Sequence, residues 1–283
     1  MSIQQTIGQG AGAELAPVGS VISLRRYPVK SMMGEELEAA YLNGSGLLGD
    51  RAYAVIDCAT GKVASAKNPR KWPTLFGFKA SYCAPPRPET AIPPVTITLP
   101  DGASIRSDSL EVTKLLASAL AREVALKCGA AEKVTLEEYW PDMDDLAHRD
   151  MVTDEAMPAQ TFFDCAPVHI VTTATLTKLA ELYPGGQFDS ARFRPNILIS
   201  TGSTEAWFIE NTWVGRTIAI GPEVELKITG DTGRCIMTTL AQGGLPRDLS
   251  VLKTAVQHNQ GRVGVYATVV KGGTVRHSDV VRV

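Results

Sequence analysis

Between Val21 and Tyr27, apolar Ile22 and Leu24 alternate with polar Ser23 and Arg25, a period of two that predicts a strand ended by Pro28. Ordered structure is expected to begin near Val18. Arg51 to Ile56 is a second short strand, led in by Gly44, Gly46 and Gly49. Val95 to Leu99 alternates again and runs into Asp101-Gly102, a hairpin signal. Between them, the five prolines of residues 84–94 demand a loop or extended connection. Helical spacing is rarer. Val112, Leu115, Leu116, Ala119 and Leu120 make one apolar stripe, with Asp108 or Ser109 as its cap. A second helix is expected from Ala174 to Tyr183, after a strand at Val168 to Val171, with Thr172 or Thr173 capping its start and Gly185-Gly186 its end.

Beyond it the pattern is strand-like: Asn196 to Ser200, Thr217 to Ile220, Glu223 to Ile228, Val263 to Val270 and Val280 to Val283. Many short strands with few helices predict a β-rich α+β fold built on a β-barrel. Alternating βαβ units are not evident, which argues against a Rossmann architecture, and no internal repeat is visible. Residues 1–14, rich in Gly, Gln and Ala, read as a flexible tail. Gly8, Gly10 and Gly12 lack the preceding strand that a dinucleotide loop requires.

Composition narrows the function classes. The 28 Lys+Arg and 30 Asp+Glu leave a net charge of −2, which gives no general attraction to nucleic acid or anionic lipid. No run of 18 apolar residues exists to cross a membrane. Met1 to Gly12 carries neither the basic residue nor the apolar core of a secretory signal. The five cysteines are odd in number and dispersed, unlike a secreted disulfide framework. There is no CxxC and no clustered iron–sulfur spacing. The four histidines form no HExxH, and GxSxG and GxxxxGK[ST] are missing. Asp142, Asp144 and Asp145 suit calcium or a solvated acidic turn, but lack the rest of an EF-hand loop.

Four segments place polar or cationic side chains at strand ends. In Tyr27-Pro-Val-Lys-Ser-Met-Met-Gly34, Lys30 and Ser31 suit a phosphate, or stand as a solvated turn. In Gly49-Asp-Arg-Ala-Tyr53, Arg51 either clamps an anion or pairs with an acid. In Ala191-Arg-Phe-Arg-Pro-Asn-Ile197, Arg192, Arg194 and Asn196 share one face if the chain is extended, as an anion site or a surface stripe. In Thr229-Gly-Asp-Thr-Gly-Arg-Cys-Ile-Met-Thr-Thr239, read as a loop, Gly233 permits close approach and Arg234 favours the Cys235 thiolate. That sulfur is a nucleophile, a soft-metal ligand or a buried structural thiol.

Taken in order, Tyr-Pro-Val-Lys-Ser (27–31), Gly-Asp-Arg (49–51), Phe-Arg-Pro-Asn-Ile (193–197) and Arg-Cys-Ile-Met-Thr-Thr (234–239) resemble the MOSC family. Among its functional members are the mitochondrial amidoxime-reducing component and its bacterial counterparts. The resemblance spans roughly residues 18–283. It implies a MOSC-type β-barrel core over 121–283, preceded by a β-rich MOSC-associated domain over 15–120. It implies a molybdenum cofactor (Mo-molybdopterin), with no iron–sulfur cluster or haem in this chain. Cys235 then matches the molybdenum ligand and catalytic centre. Lys30, Ser31 and Arg51 match positions that hold the pyranopterin and its phosphate, and Arg194, Asn196 and Arg234 match further cofactor contacts. Asp164, Thr172 or Thr173, and Tyr266 are placed in the same pocket. Gly233 departs from the pattern, where a serine often stands.

The activity implied is reduction of N-hydroxylated small molecules, amidoximes and hydroxylamines, with a separate electron-donor protein of ferredoxin, cytochrome b5 or flavin reductase type. A cytoplasmic chain is expected, without a membrane anchor, a fused ferredoxin-like domain or a nucleic-acid partner. The rival readings are a cofactor carrier or sulfur-transfer module using Cys235, and a binding protein that keeps the barrel without the chemistry.

Overall fold

The computed structural model describes residues 15–131, 133–143, 148–202 and 206–283. The expected tail at 1–14, and Asp144 and Asp145 of the acidic turn, lie outside the described residues. The fold is a β-rich α+β arrangement around a closed seven-stranded barrel. Round the barrel run Ile197–Thr201, Val168–Thr172, Arg262–Lys271, Val224–Gly233, Thr217–Ile220, Val280–Arg282 and Pro17–Arg26, which pairs back onto Ile197–Thr201 and leaves no open edge there. Alternation fills the interior: Val21, Leu24, Ile170, Ile197, Ile199, Ile218, Ile220, Leu226, Ile228, Val265 and Val281 pack as one buried cluster. All pairs are antiparallel except Val168–Thr172 with Ile197–Thr201, which are parallel and joined through the helix Thr173–Leu182. The two strands and the helix of this crossover were each legible in the sequence, but their parallel pairing as a βαβ unit was not.

The barrel draws on both ends of the chain, since Pro17–Arg26 is one of its staves and all the others follow residue 167. Ala39–Asn43 likewise pairs with Gly273–Arg276. Between these, residues 53–128 build a second lobe. It holds the pair Tyr53–Asp57 with Val124–Cys128, the small sheet Lys79–Tyr82, Val95–Thr98 and Ser104–Arg106, and the helix Val112–Leu120. Its core includes Val29, Met32, Val55, Trp72, Phe76, Ile97 and Leu116. The hairpin expected at Asp101-Gly102 forms as Val95–Thr98 with Ser104–Arg106. Residues 84–94 form no strand or helix.

Several expectations need correction. Neither Asp108 nor Ser109 caps the helix Val112–Leu120. Glu111 holds that position with no side-chain cap, because Asp108 is taken by Arg106 and Ser109 Oγ accepts from the Glu111 N–H instead. The segment read as a loop from Thr229 is strand as far as Gly233, followed by a 3-10 turn at Ile236–Thr239. The helix Ser250–Asn259 was unread because its buried stripe is only Val251, Leu252, Thr254 and Ala255. The hairpin Thr135–Trp140 with Met151–Ala156 was unread because Glu138 and Glu155 occupy inward positions where apolar residues would signal a strand. Among the described residues no helix is long and apolar enough to cross a membrane.

Candidate functional site

One cleft lies where the barrel meets the second lobe. It is lined by Lys30, Ser31, Arg51, Ser65, Lys67, Asp164, His169, Arg194, Asn196, Arg234, Cys235 and Tyr266, among others. Eight of the ten expected cofactor contacts are therefore brought together around Cys235. The positions come from strand ends and turns, where the chain leaves regular pairing and the side chain is free to aim. Ser31, Arg51 and Arg194 all take left-handed backbone, with φ of 63°, 47° and 54°. Three of the nine non-glycine residues with positive φ among the described residues thus line this one cleft.

The first wall follows the strand Pro17–Arg26. Lys30 is 4% exposed, and its Nζ donates to Phe162 O at 3.0 Å and to Asp164 Oδ1 at 2.8 Å. Burial pulls the Lys30 ammonium down, against the pull of Asp164. Ser31 Oγ accepts from the Ala66 N–H at 3.1 Å, which leaves its own hydroxyl proton free for a ligand. Arg51 ion-pairs with its neighbour Asp50, and Asp50 Oδ1 in turn accepts from the Tyr27 N–H at 2.7 Å. The Tyr27 ring carries two guanidiniums, Arg51 at 4.6 Å and Arg194 at 4.1 Å.

The opposite wall comes from the C-terminal half. Arg194 closes the one-turn helix Ser190–Phe193. Its Nη2 donates to Met32 O at 2.8 Å, while Nη1 is buried without a partner. Burial brings its pKa down to about 10, so it stays charged at neutral pH. Arg234 repeats the pattern: Nη2 donates to Phe193 O at 2.8 Å, and Nε is buried and unpartnered. Cys235 follows in extended backbone at the head of the Ile236–Thr239 turn. Burial, with Glu138 adding to it, pushes the thiol up to about 12, against Lys67, the Met237 N–H and Arg234. Arg234 does favour the thiolate, as expected, but desolvation by burial outweighs it.

Two further groups belong here that the sequence did not single out. Lys67 Nζ stands 3.0 Å from Glu138 Oε2 and 3.6 Å from Asp164 Oδ1. Burial opposes its charge, but Asp164, Cys235 and Glu138 hold the ammonium well above its usual range. Asp164 meets Lys30 and Lys67, and although its own burial acts the other way, these cations keep its carboxyl far below the ordinary carboxylate range. His169, 6% exposed, is held neutral by burial and by Arg234. Its ring lies 5.7 Å from that of Tyr266, whose hydroxyl burial keeps protonated. A lone histidine in the apolar strand Val168–Val171 was the available signal for the one. Lys67 sits in an irregular loop and offered none.

Other placements differ from expectation. Arg192 and Arg194 do not share a face, because the segment is helical rather than extended there. Arg192 is fully buried and donates to the carbonyls of Gln187, Thr238, Leu240 and Pro246, which pins the segment after Cys235. Asn196 lines the cleft with its amide already engaged: Oδ1 accepts from the His169 N–H and Nδ2 donates to Arg25 O. Thr172 and Thr173 are not in the cleft. Thr172 caps the helix Thr173–Leu182 and donates to the buried Glu210 carboxylate at 2.6 Å, and Thr173 Oγ1 accepts from the Thr201 N–H. A Cβ on Gly233 would meet nothing within 4 Å, so a serine has room there and its absence leaves space.

In sum, Lys30, Arg51, Lys67, Arg194 and Arg234 converge on a pocket whose one lining carboxylate, Asp164, is shared between two of them. Among the described residues no three His, Cys, Asp or Glu side chains gather as a metal site.

The MOSC domain matches residues 158–282, and the MOSC N-terminal beta barrel domain matches residues 18–128. No curated protein matches the chain. Of solved structures, the YUAD protein from Bacillus subtilis aligns over 94% of both chains at 13% identity, with a TM-score of 0.47. YiiM from Geobacillus stearothermophilus aligns over 42% of this chain and 54% of its own, at 18% identity and a TM-score of 0.32. MOSC domains are associated with molybdenum-cofactor-binding proteins. With both domains matched in succession, the chain belongs to the MOSC-domain family.

Proposed function

We propose that this protein is a molybdopterin-dependent oxidoreductase that reduces N-hydroxylated substrates with electrons from a separate donor protein. One observation carries the reading: Arg194 Nη1 and Arg234 Nε are buried donors without partners, in the same cleft as Cys235. A buried donor left unpaired costs roughly 1–3 kcal/mol, more when charged, so an anionic ligand that accepts from both is favoured. Molybdopterin fits that demand, with a phosphate for Lys30, Ser31 and Arg51, and an anionic dithiolate end for the guanidiniums. The donor set fits too, since a cleft lined by one thiol, with no cluster of metal ligands among the described residues, suits a metal that arrives with its own ligands. When bound, the cofactor supplies the two-electron redox couple.

The chain's own groups do the rest. Cys235 provides a soft sulfur ligand. Arg194 and Arg234 neutralise the anion and fix its orientation. Tyr266 keeps its phenolic proton and can donate a hydrogen bond to the substrate oxygen. The overall change is R–NH–OH plus two electrons and two protons, giving R–NH2 and water, with the electrons coming from a ferredoxin-, cytochrome b5- or flavin reductase-type donor.

The test is benzamidoxime reduction driven by reduced methyl viologen, with benzamidine measured as product. Wild type turns over. Cys235→Ser abolishes turnover and keeps part of its pterin, because the cations still grip the phosphate, whereas Arg194→Ala lowers pterin occupancy. Full turnover by the cysteine variant contradicts the ligand assignment. Pterin that exchanges without any turnover supports a carrier instead.

A further inference from the structure

Beyond Cys235 the cleft opens into an outer chamber, which keeps Lys67, Asp164 and Arg234 in its lining and adds Glu138, Glu155 and Asp231. The hairpin Thr135–Trp140 with Met151–Ala156 forms its outer wall. Alternation turns Leu136, Glu138 and Trp140 to one face, and Glu155 stands opposite Leu136 in register. The facing wall is the end of the barrel strand Val224–Gly233, with Gly230, Asp231 and Gly233. A Cβ on Gly230 or Gly233 would meet nothing within 4 Å, so this wall leaves room for a ligand.

The carboxylates here are not all neutralised. Glu138 is met by Lys67. Glu155 is not: Trp140 Nε1 donates to Thr153 Oγ1 at 2.8 Å, and that hydroxyl donates to Glu155 Oε1 at 2.8 Å. This chain of bonds orients the carboxylate and leaves its charge, and no salt bridge to Glu155 is found among the described residues. Asp231 Oδ2 lies 3.1 Å from the half-exposed Arg262, while its Oδ1 is buried without a partner. Trp140 and Tyr266 add two aromatic rings to the same chamber.

We propose that the outer chamber is a subsite for a positively charged group on the substrate, with Glu155 and Asp231 as its specificity determinants. An oriented, half-buried carboxylate gains most when a cation completes it, and the aromatic rings add cation–π attraction. The inner end is lined by cations and repels positive charge. A substrate with a neutral N–O end and a cationic end is therefore held with the N–O group towards Cys235 and the cation outward. The proposal rests on the reductase reading only in taking the chamber as the substrate's approach to Cys235.

Calorimetric titration of the holoprotein with benzamidine, benzamide and benzoate tests it. These ligands share a ring and differ in charge. Benzamidine is expected to bind about tenfold tighter than benzamide, the equivalent of one favourable charge contact, and benzoate to bind weakest. Glu155→Gln and Asp231→Asn should each lower benzamidine affinity about three- to tenfold and leave benzamide within about twofold. Equal affinity of wild type for benzamidine and benzamide overturns the proposal, as does undetectable benzamidine binding or a preference that survives both substitutions. The titration involves no turnover. A protein that reduces no N–O bond yet keeps the preference would overturn the reductase reading and leave the cation subsite standing.

Discussion

Single side chains in this cleft are tied to one another by charge. Asp164 bridges Lys30 and Lys67, so removing it leaves two partly buried ammonium groups facing each other. Asp164→Asn should destabilise the cofactor-free protein by about 3 kcal/mol at neutral pH, read by urea unfolding. The pH dependence has a definite sign. Its carboxyl is depressed in the fold, so the stability it contributes is present above the ordinary carboxylate pKa and is lost as pH falls through the lower folded value. The gap between wild type and Asp164→Asn should therefore shrink as pH drops below about 4. A gap that stays constant down to pH 2 would mean the ion pairs contribute nothing.

Residue by residue, the sequence was most legible where chemistry needs a cation at a strand end. Lys30, Arg51, Arg194 and Arg234 were all singled out and all line the cleft. It was least legible where one residue type serves two purposes. Thr172 was taken both as a helix cap and as a cofactor contact, and a hydroxyl spent on the cap and on Glu210 has nothing left for a ligand. Thr172→Val should cost about 1–3 kcal/mol of unfolding free energy, since it unmakes the cap and leaves the buried Glu210 carboxylate with the Thr175 hydroxyl but without that of Thr172. It should leave pterin content unchanged, and a loss of pterin would return Thr172 to the site.

Elements hold the cleft open through close contacts that no propensity scale reports. Gly264 lies in the strand Arg262–Lys271 at φ +86°, and a Cβ there would stand 2.4 Å from Ile170 O and 2.6 Å from His169 Nε2. Gly264→Ala should therefore lower stability by about 2–4 kcal/mol and lower pterin occupancy as well, because the ring it displaces lines the cleft. Unchanged unfolding and unchanged occupancy together would show that the strand shifts freely. The barrel strands themselves were readable from period two, except that a bulge between Val21 and Ser23 in Pro17–Arg26 puts Val21 rather than Ile22 in the buried cluster beside Leu24. The hairpin Thr135–Trp140 with Met151–Ala156 was not, because its inward face carries the polar residues that give the outer chamber its chemistry.

The whole molecule brings together segments far apart in sequence. Barrel closure by Pro17–Arg26 against Ile197–Thr201 sets Lys30 and Ser31 opposite Arg194 and Arg234. Composition could not announce this, because a net charge of −2 averages away a local cluster of five cations. The central claim is that this cluster and Cys235 together hold a molybdenum cofactor. The measurement that tests it most directly is the molybdenum content of the protein purified from molybdate-supplied cells. The account predicts close to one molybdenum per chain. Protein that emerges folded, with no molybdenum bound, would contradict it.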